Sequence, residues 1–155
     1  MVTDYLFSEP LIIKRLRETL PDLREITGAA GLAQIQEENI PAPAAYVLYL
    51  GDSISATPAA TGGIQARQQF VTQLWAVVVV VYYADGRGMG EEINSEAGPY
   101  LSRVIEALSG WKPEIGSCPP VRRHPQQLPA QYEDGYGFFP LVFQVQIPAS
   151  LGGYK

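Results

Sequence analysis

Apolar residues recur at helical spacing in two stretches of this chain and alternate or run together, as in strands, in three others. Ile12, Ile13, Leu16 and Leu20 share one helical face while Lys14, Arg15, Arg17 and Glu18 face out; Ser8 is placed as N-cap, Glu9 and Pro10 suit the first turn, and Pro21 stops the helix. Leu23 to Ile26 is a candidate short strand, Gly28 to Gly31 a small-residue break, and Leu32 to Glu38 a candidate helical turn. Ala44 to Leu50 reads as a strand. A second helix covers Glu91 to Leu108 through Ile93, Ala97, Leu101, Val104, Ile105 and Leu108, with Gly98-Pro99 kinking it or marking its true start and Gly110 ending it. Phe139, Leu141, Phe143, Val145 and Ile147 alternate against Gln144 and Gln146 in a closing strand, where Pro140 implies a bulge or an edge.

The most informative stretch is Ile64 to Tyr83. Its first half carries Gln65, Arg67, Gln69 and Gln73, and its second half is Leu74-Trp-Ala-Val-Val-Val-Val-Val-Tyr-Tyr83. Branching at Cβ stiffens χ1, so valine runs favour strands. Twenty residues at ~3.3 Å each reach about 65 Å, whereas a domain of this length is only ~40 Å across. The strand must therefore bend, break or carry its polar half beyond the core. Gly51 to Gly63 is small, polar and turn-forming, so residues 51–70 are expected to project as a hairpin arm. Residues 112–137 are Pro-rich and irregular, with short strands expected near Val121 and Leu128.

These elements predict one α+β domain over residues 1–155: an antiparallel or mixed sheet of four to five strands, with two main helices on one face. Val77 to Val81 is apolar on both faces. Burying five valines is worth on the order of 7–15 kcal/mol, so leaving half of them wet is a large loss. Either the Pro-rich segment or a second copy of the chain must cover the helix-free side.

Composition sharpens this. Only 17% of the 155 residues are charged, against ~25% in an ordinary domain. The net charge is −5, and the basic clusters (Lys14, Arg15, Arg17; Arg122, Arg123) are short, which argues against sequence-specific nucleic-acid binding. One cysteine, Cys118, forms no internal disulfide and fits assembly in a reducing compartment. The N-terminus lacks signal-peptide features, and the longest uncharged apolar run, Leu74 to Ala84, is shorter than the ~20 residues of a membrane span.

Candidate chemistry is thin. Gly86-Arg-Gly88-Met-Gly90 lies between strand and helix, but Glu91 stands where a dinucleotide loop needs glycine, and Glu91 and Glu92 would repel phosphate. Cys118 and His124 lack an orienting carboxylate for nucleophilic catalysis and are too few for zinc. Glu91, Glu92, Glu96, Glu133 and Asp134 show no calcium-loop spacing. No enzyme, metal or cofactor is expected. Tyr132, Tyr136 and Phe138 are either a partner surface or local packing.

The order of features is similar to one known family. An N-terminal helix precedes Pro43-Ala-Ala-Tyr-Val-Leu48, then a Gln-punctuated strand ending in valines, a helix closing in Ala107-Leu-Ser-Gly-Trp111-Lys-Pro113, and the aromatic strand Tyr136-Gly-Phe-Phe-Pro-Leu-Val-Phe143. Over roughly residues 5–147 this resembles the tail terminator (tail completion) proteins of long-tailed bacteriophages. The resemblance implies a virion protein made in the host cytoplasm: a homo-oligomeric ring, typically of six copies, at the head-proximal end of the tail. Such a ring caps the major tail tube protein, stops its polymerisation and offers its other face to the head–tail connector, while DNA passes through the lumen without specific binding. Gln65, Arg67, Gln69 and Gln73, with the loop before them, are the expected contacts to neighbouring subunits or the tube, and Arg87 and Met89 a second set. The alternatives are another connector or tube component, or an α+β module that binds a small ligand.

Overall fold

A computed structural model of the protein describes residues 4–34, 40–55, 70–83, 90–113 and 119–148. The first helix, α1 (Ser8–Thr19), begins differently from the expectation. Ser8 lies inside its first turn, and Phe7 occupies the cap position in helical conformation (φ −56°, ψ −24°) with no side-chain cap. The capping is done earlier by Asp4, whose Oδ1 accepts from the Leu6 N–H at 2.9 Å and whose carbonyl accepts from the Phe7 N–H at 3.2 Å. Ser8 is left buried, its hydroxyl without a partner among the described residues.

The chain continues through β1 (Glu25–Gly28), α2 (Ala29–Gln34), β2 (Ala44–Ser55), β3 (Phe70–Tyr82), α3 (Gly90–Leu108), β4 (Arg122–Arg123), β5 (Gln131–Glu133) and β6 (Tyr136–Pro148). The sheet order is β1-β2-β3-β6-β4, with β5 also on β6. β1 and β2 are parallel and every other pairing is antiparallel. The class is α+β with a mixed sheet, as expected, and the two strands beyond four are short pieces on β6.

Several boundaries move for physical reasons. The Gly28 to Gly31 break is instead the junction between β1 and α2, because Gly31 lets the helix sit on Thr27: a Cβ there would lie 2.1 Å from the Thr27 hydroxyl. α3 is helical from Gly90, so Pro99 is interior rather than a start. Pro99 and Ser95 are both exposed, and water can serve the Ser95 carbonyl that Pro99 leaves without a donor. Of the two alternatives for Pro140 the edge holds and the bulge does not: its register with Val78 is continuous, and its missing N–H costs nothing where β6 has neither β4 nor β5 alongside. The bulge is in β2, between Tyr49 and Gly51. β5 and β6 are joined by Asp134 (φ 51°) and Gly135 (φ 83°), a two-residue turn of the kind that matches hairpin twist.

α1 and α3 pack against each other and on one sheet face. Val77, Val79 and Val81 point into this layer with Ile12, Leu16, Trp75, Val104, Leu108 and Phe143. The basic cluster on α1 is largely spent here. Arg15 Nε donates to the Ala107 carbonyl at 3.0 Å with its guanidinium over the Trp111 ring, and Arg17 donates to the Ile26 carbonyl at 2.8 Å. Arg103 on α3 returns the tie, reaching Asp22 at 2.8 Å and the Thr19 carbonyl at 3.2 Å. On the other face, Val80 is buried with Ala44 and Tyr46 beneath Ile40 and Ala42, and Val78 is half-buried. Residues 121–133 run along the outer edge of β6 through β4 and β5.

Candidate functional site

Residues opposite each other across a ladder share a face, so the registers define the side of the three long strands turned away from α1 and α3, where α2 sits over Thr27 in the row of Tyr46. One row runs Ala44, Val80, Phe138; another Tyr46, Val78, Pro140; a third Leu48, Ala76, Val142. The remaining rows are Gly51, Leu74, Gln144 and Ser53, Thr72, Gln146, with Tyr82 beside Tyr136 at the opposite end. None of these positions carries a charge, but the rows end in charged residues on the short strands: Glu25 beside Ala44, where it accepts from the Tyr46 hydroxyl at 3.3 Å, Arg122 beside Gln144 and Glu133 beside Tyr136. The aromatic end is partly open: Tyr82 is exposed, its ring centroid 4.6 Å from that of Tyr136, with Phe138 beside it. The other end is polar but neutral.

At that polar end the β2–β3 pairing continues past β1, from Leu48↔Ala76 to Ser55↔Phe70. The bulge at Leu50 needs Gly51, whose φ of +112° excludes most side chains. It also sets Asp52 toward the N-terminal turn, where Asp52 accepts a hydrogen bond from the Tyr5 hydroxyl. Burial and this carboxylate push Tyr5 up to about 12, and burial first, then Asp52, raises Tyr49 as well. The Tyr49 ring packs on Trp75 at 5.1 Å. Behind them Gln73 donates to the Tyr5 carbonyl at 2.8 Å and accepts from the Trp75 indole at 3.2 Å.

Gln73 is therefore fully buried, the joint between the N-terminal turn and the base of the hairpin, and its amide is not presented to a neighbour. Gln65, Arg67, Gln69, Arg87 and Met89, with the tip of the expected arm, lie outside the described residues. The Tyr5–Asp52–Gln73 joint was missed in sequence. Its one local signal is that Gln73 and Trp75, two apart on a strand, share a face that is otherwise apolar.

The other candidates are dispersed. His124 accepts from the Gln126 N–H at 3.1 Å, and Cys118 lies outside the described residues. Glu91, Glu92, Glu96, Glu133 and Asp134 are exposed, and no group of three potential metal ligands converges among the described residues. No described helix is long and apolar enough to cross a membrane. A shallow cleft of about 400 Å³ runs beside β1, lined by Arg17, Arg24, Glu25 and Thr27 together with Leu20, Leu23 and Ile26.

What stands out is thus surface: a mixed sheet with α1 and α3 on one face and, on the other, three long strands without a charged side chain, bordered by Glu25, Arg122 and Glu133 on the short strands. The family model for the phage tail terminator protein matches residues 2–150, and the chain belongs to that family. It is a structural component of the phage tail and of the virion. No curated protein matches the chain. Among solved structures, a chain of the virion of a native gene transfer agent particle is similar at 14% identity and a TM-score of 0.46, over 92% of this chain and 88% of that one.

Proposed function

We propose that this chain terminates the tail: copies of it, six by the family pattern, close into a ring that caps the tube, blocks further addition of tube protein and receives the head connector. The observation that carries this reading is the face turned away from α1 and α3, whose three long strands present no charge from Ala44 to Gln146. A lone subunit gains solubility from charge there, whereas a subunit whose neighbours and lumen use that face does not. The three long strands of this wall offer duplex DNA no counterion-releasing contact, Arg122 on β4 standing at their border, so DNA slides past without being held. The acidic net charge acts in the same direction. In this reading Gln65, Arg67 and Gln69 at the hairpin tip reach the tube or the neighbouring subunit, with Arg87 and Met89 as a second contact.

Electron micrographs of tails assembled without the protein test the reading. Overlong or ragged tubes are the expected result; tails of normal length that fail to join heads would overturn termination in favour of a connector role. Deleting residues 53–62 should reproduce the overlong tubes, and normal tail length with full infectivity would remove the arm from the mechanism.

A further inference from the structure

The two lateral edges of the sheet body are closed. On one side β1 is four residues long, and the Ile26 carbonyl already accepts the Arg17 guanidinium at 2.8 Å. On the other side β6 is covered piecewise. β5 pairs with residues 136–138, β4 with Phe143 and Gln144, and between them the Gln127 side chain acts as a substitute strand. Its Oε1 accepts from the Val142 N–H at 3.0 Å and its Nε2 donates to the Val142 carbonyl at 2.9 Å. Short edge pieces, charged side chains and covering loops are the usual defences against edge-to-edge pairing.

The hairpin end lacks covering pieces and charged side chains, its edges being marked only by the bulge at Leu50 on β2 and by Pro148 at the end of β6. Past Val47 the outer side of β2 meets no strand among the described residues, and past Gln144 neither does the outer side of β6. These are opposite sides of one three-stranded ribbon, at one level: Ser53, Thr72 and Gln146 form a single row. Leu50 and Ile54 on the β2 side are 43% and 58% exposed, large apolar side chains on an open strand. Asp52 is the lone charge on either edge and is turned to Tyr5, so no like charges oppose each other across a junction.

We propose that the β2 edge from Leu48 to Ser55 in one copy pairs with the β6 edge from Val145 to Pro148 in the next, making the sheet continuous around the ring. This rests on the ring reading above and names its seam. The occupant is a second copy because each edge supplies what the other lacks, and joining unlike edges head to tail is what closes a ring rather than a dimer. Strand direction follows from the topology. β2 and β6 are each antiparallel to β3 and so run the same way, and rotation about an axis along the strands keeps that direction. The seam is therefore a parallel pair, while every pairing within the ribbon is antiparallel. At ~4.8 Å per strand, three strands contribute about 14 Å of wall per copy, and six copies enclose a backbone circle about 28 Å across before strand tilt widens it.

Cysteine cross-linking tests the seam in the full chain carrying Cys118→Ser. Ser53→Cys is combined with Gln146→Cys or, one pleat back on the same face, with Gln144→Cys; adjacent strands bring such pairs within disulfide reach. Equal mixtures of the two single variants should oxidise to a covalent heterodimer, and one of the double variants should give a ladder ending at the ring size seen by light scattering. Efficient covalent dimers from Ser53→Cys alone would mean like edges pair, and would overturn the proposal. Rings that form by light scattering yet give no cross-link with either partner would overturn the seam and leave the ring standing. A protein that stays monomeric alone and with tube protein would remove both. Ile54→Lys, at an exposed side chain, provides a second arm: ring population should fall at least tenfold while the melting curve of the monomer is unchanged, and undiminished rings would count against the seam.

Discussion

Replacing Gln73 with leucine separates two roles that this residue type can play on a strand. As an exposed contact it would weaken assembly and leave the fold alone. In the structure its amide is fully buried and satisfies two groups, the Trp75 indole N–H at 3.2 Å and the Tyr5 carbonyl at 2.8 Å. Leucine keeps most of the volume and removes both partners. A buried donor or acceptor left unmatched costs ~1–3 kcal/mol, and the Tyr5 bond, being only partly buried, belongs at the lower end. The loss should be about 3 kcal/mol, which at ~2–4 °C per kcal/mol for a domain of this size lowers Tm by ~6–12 °C. Gln73→Ala should cost more, because a cavity is added beside Trp75. Urea unfolding followed by circular dichroism, at two protein concentrations tenfold apart, is the assay; the difference from wild type must not depend on concentration, since a loss transmitted through association would. A Q73L midpoint within ~0.5 kcal/mol of wild type, or a deficit seen solely where copies associate, would refute the placement of Gln73 as an internal joint.

Two further outcomes follow from the same geometry. Tyr5 is held protonated up to about 12 by burial and Asp52, against 10.0 for the free side chain. Above pH 10 the unfolded chain gives up this proton first, so the contribution is fully present below pH 10 and lost as pH rises through 12. Wild-type stability should therefore fall more steeply than that of Tyr5→Phe between those values in denaturant midpoints measured at stepped pH, and parallel slopes would sink the assignment. Gln127→Ala should cost about 1–2 kcal/mol and expose the Val142 amide; hydrogen exchange at Val142 should speed markedly while Val77 keeps its protection, and equal protection at Val142 would show that the amide is held otherwise.

Long-range periodicity carried most of the fold. The amphipathic α1 and α3, the valine strand and the alternating β6 were legible because each repeats its pattern over ten residues or more, and burial on both sides of β3 appears as an unbroken apolar run. Elements defined by one or two interactions were not legible. Ser8 has the right chemistry for an N-cap, but Asp4 takes the role because the turn starts earlier, and nothing local ranks the two. α2 begins at Ala29 because Gly31 fits over Thr27, a contact that exists once β1 is placed. Arg15 and Arg17 read as solvated charges, yet their guanidinia reach carbonyls ninety-two and nine residues away. The Tyr5–Asp52–Gln73 joint likewise depends on segments far apart in the chain that meet at a bulge, and no spacing rule announces it.

The shortage of charge can now be located. A central strand flanked on both sides excludes charge for reasons of burial alone, and that accounts for β3. Burial does not account for Ser53, Thr72, Gln144 and Gln146, which are exposed or half-buried at the hairpin end of the face turned away from α1 and α3 and tolerate water. A solvent-facing sheet normally carries lysine and glutamate at such positions, both for solubility and to deter edge pairing. Here they are uncharged; β4 places Arg122 beside Gln144, and past it Ser53, Thr72 and Gln146 lie between two open edges. Polarity without charge suits a surface that must stay wetted without repelling a neighbouring copy at the seam or holding a polyanion in the lumen, and both conditions hold for the inner wall of a ring.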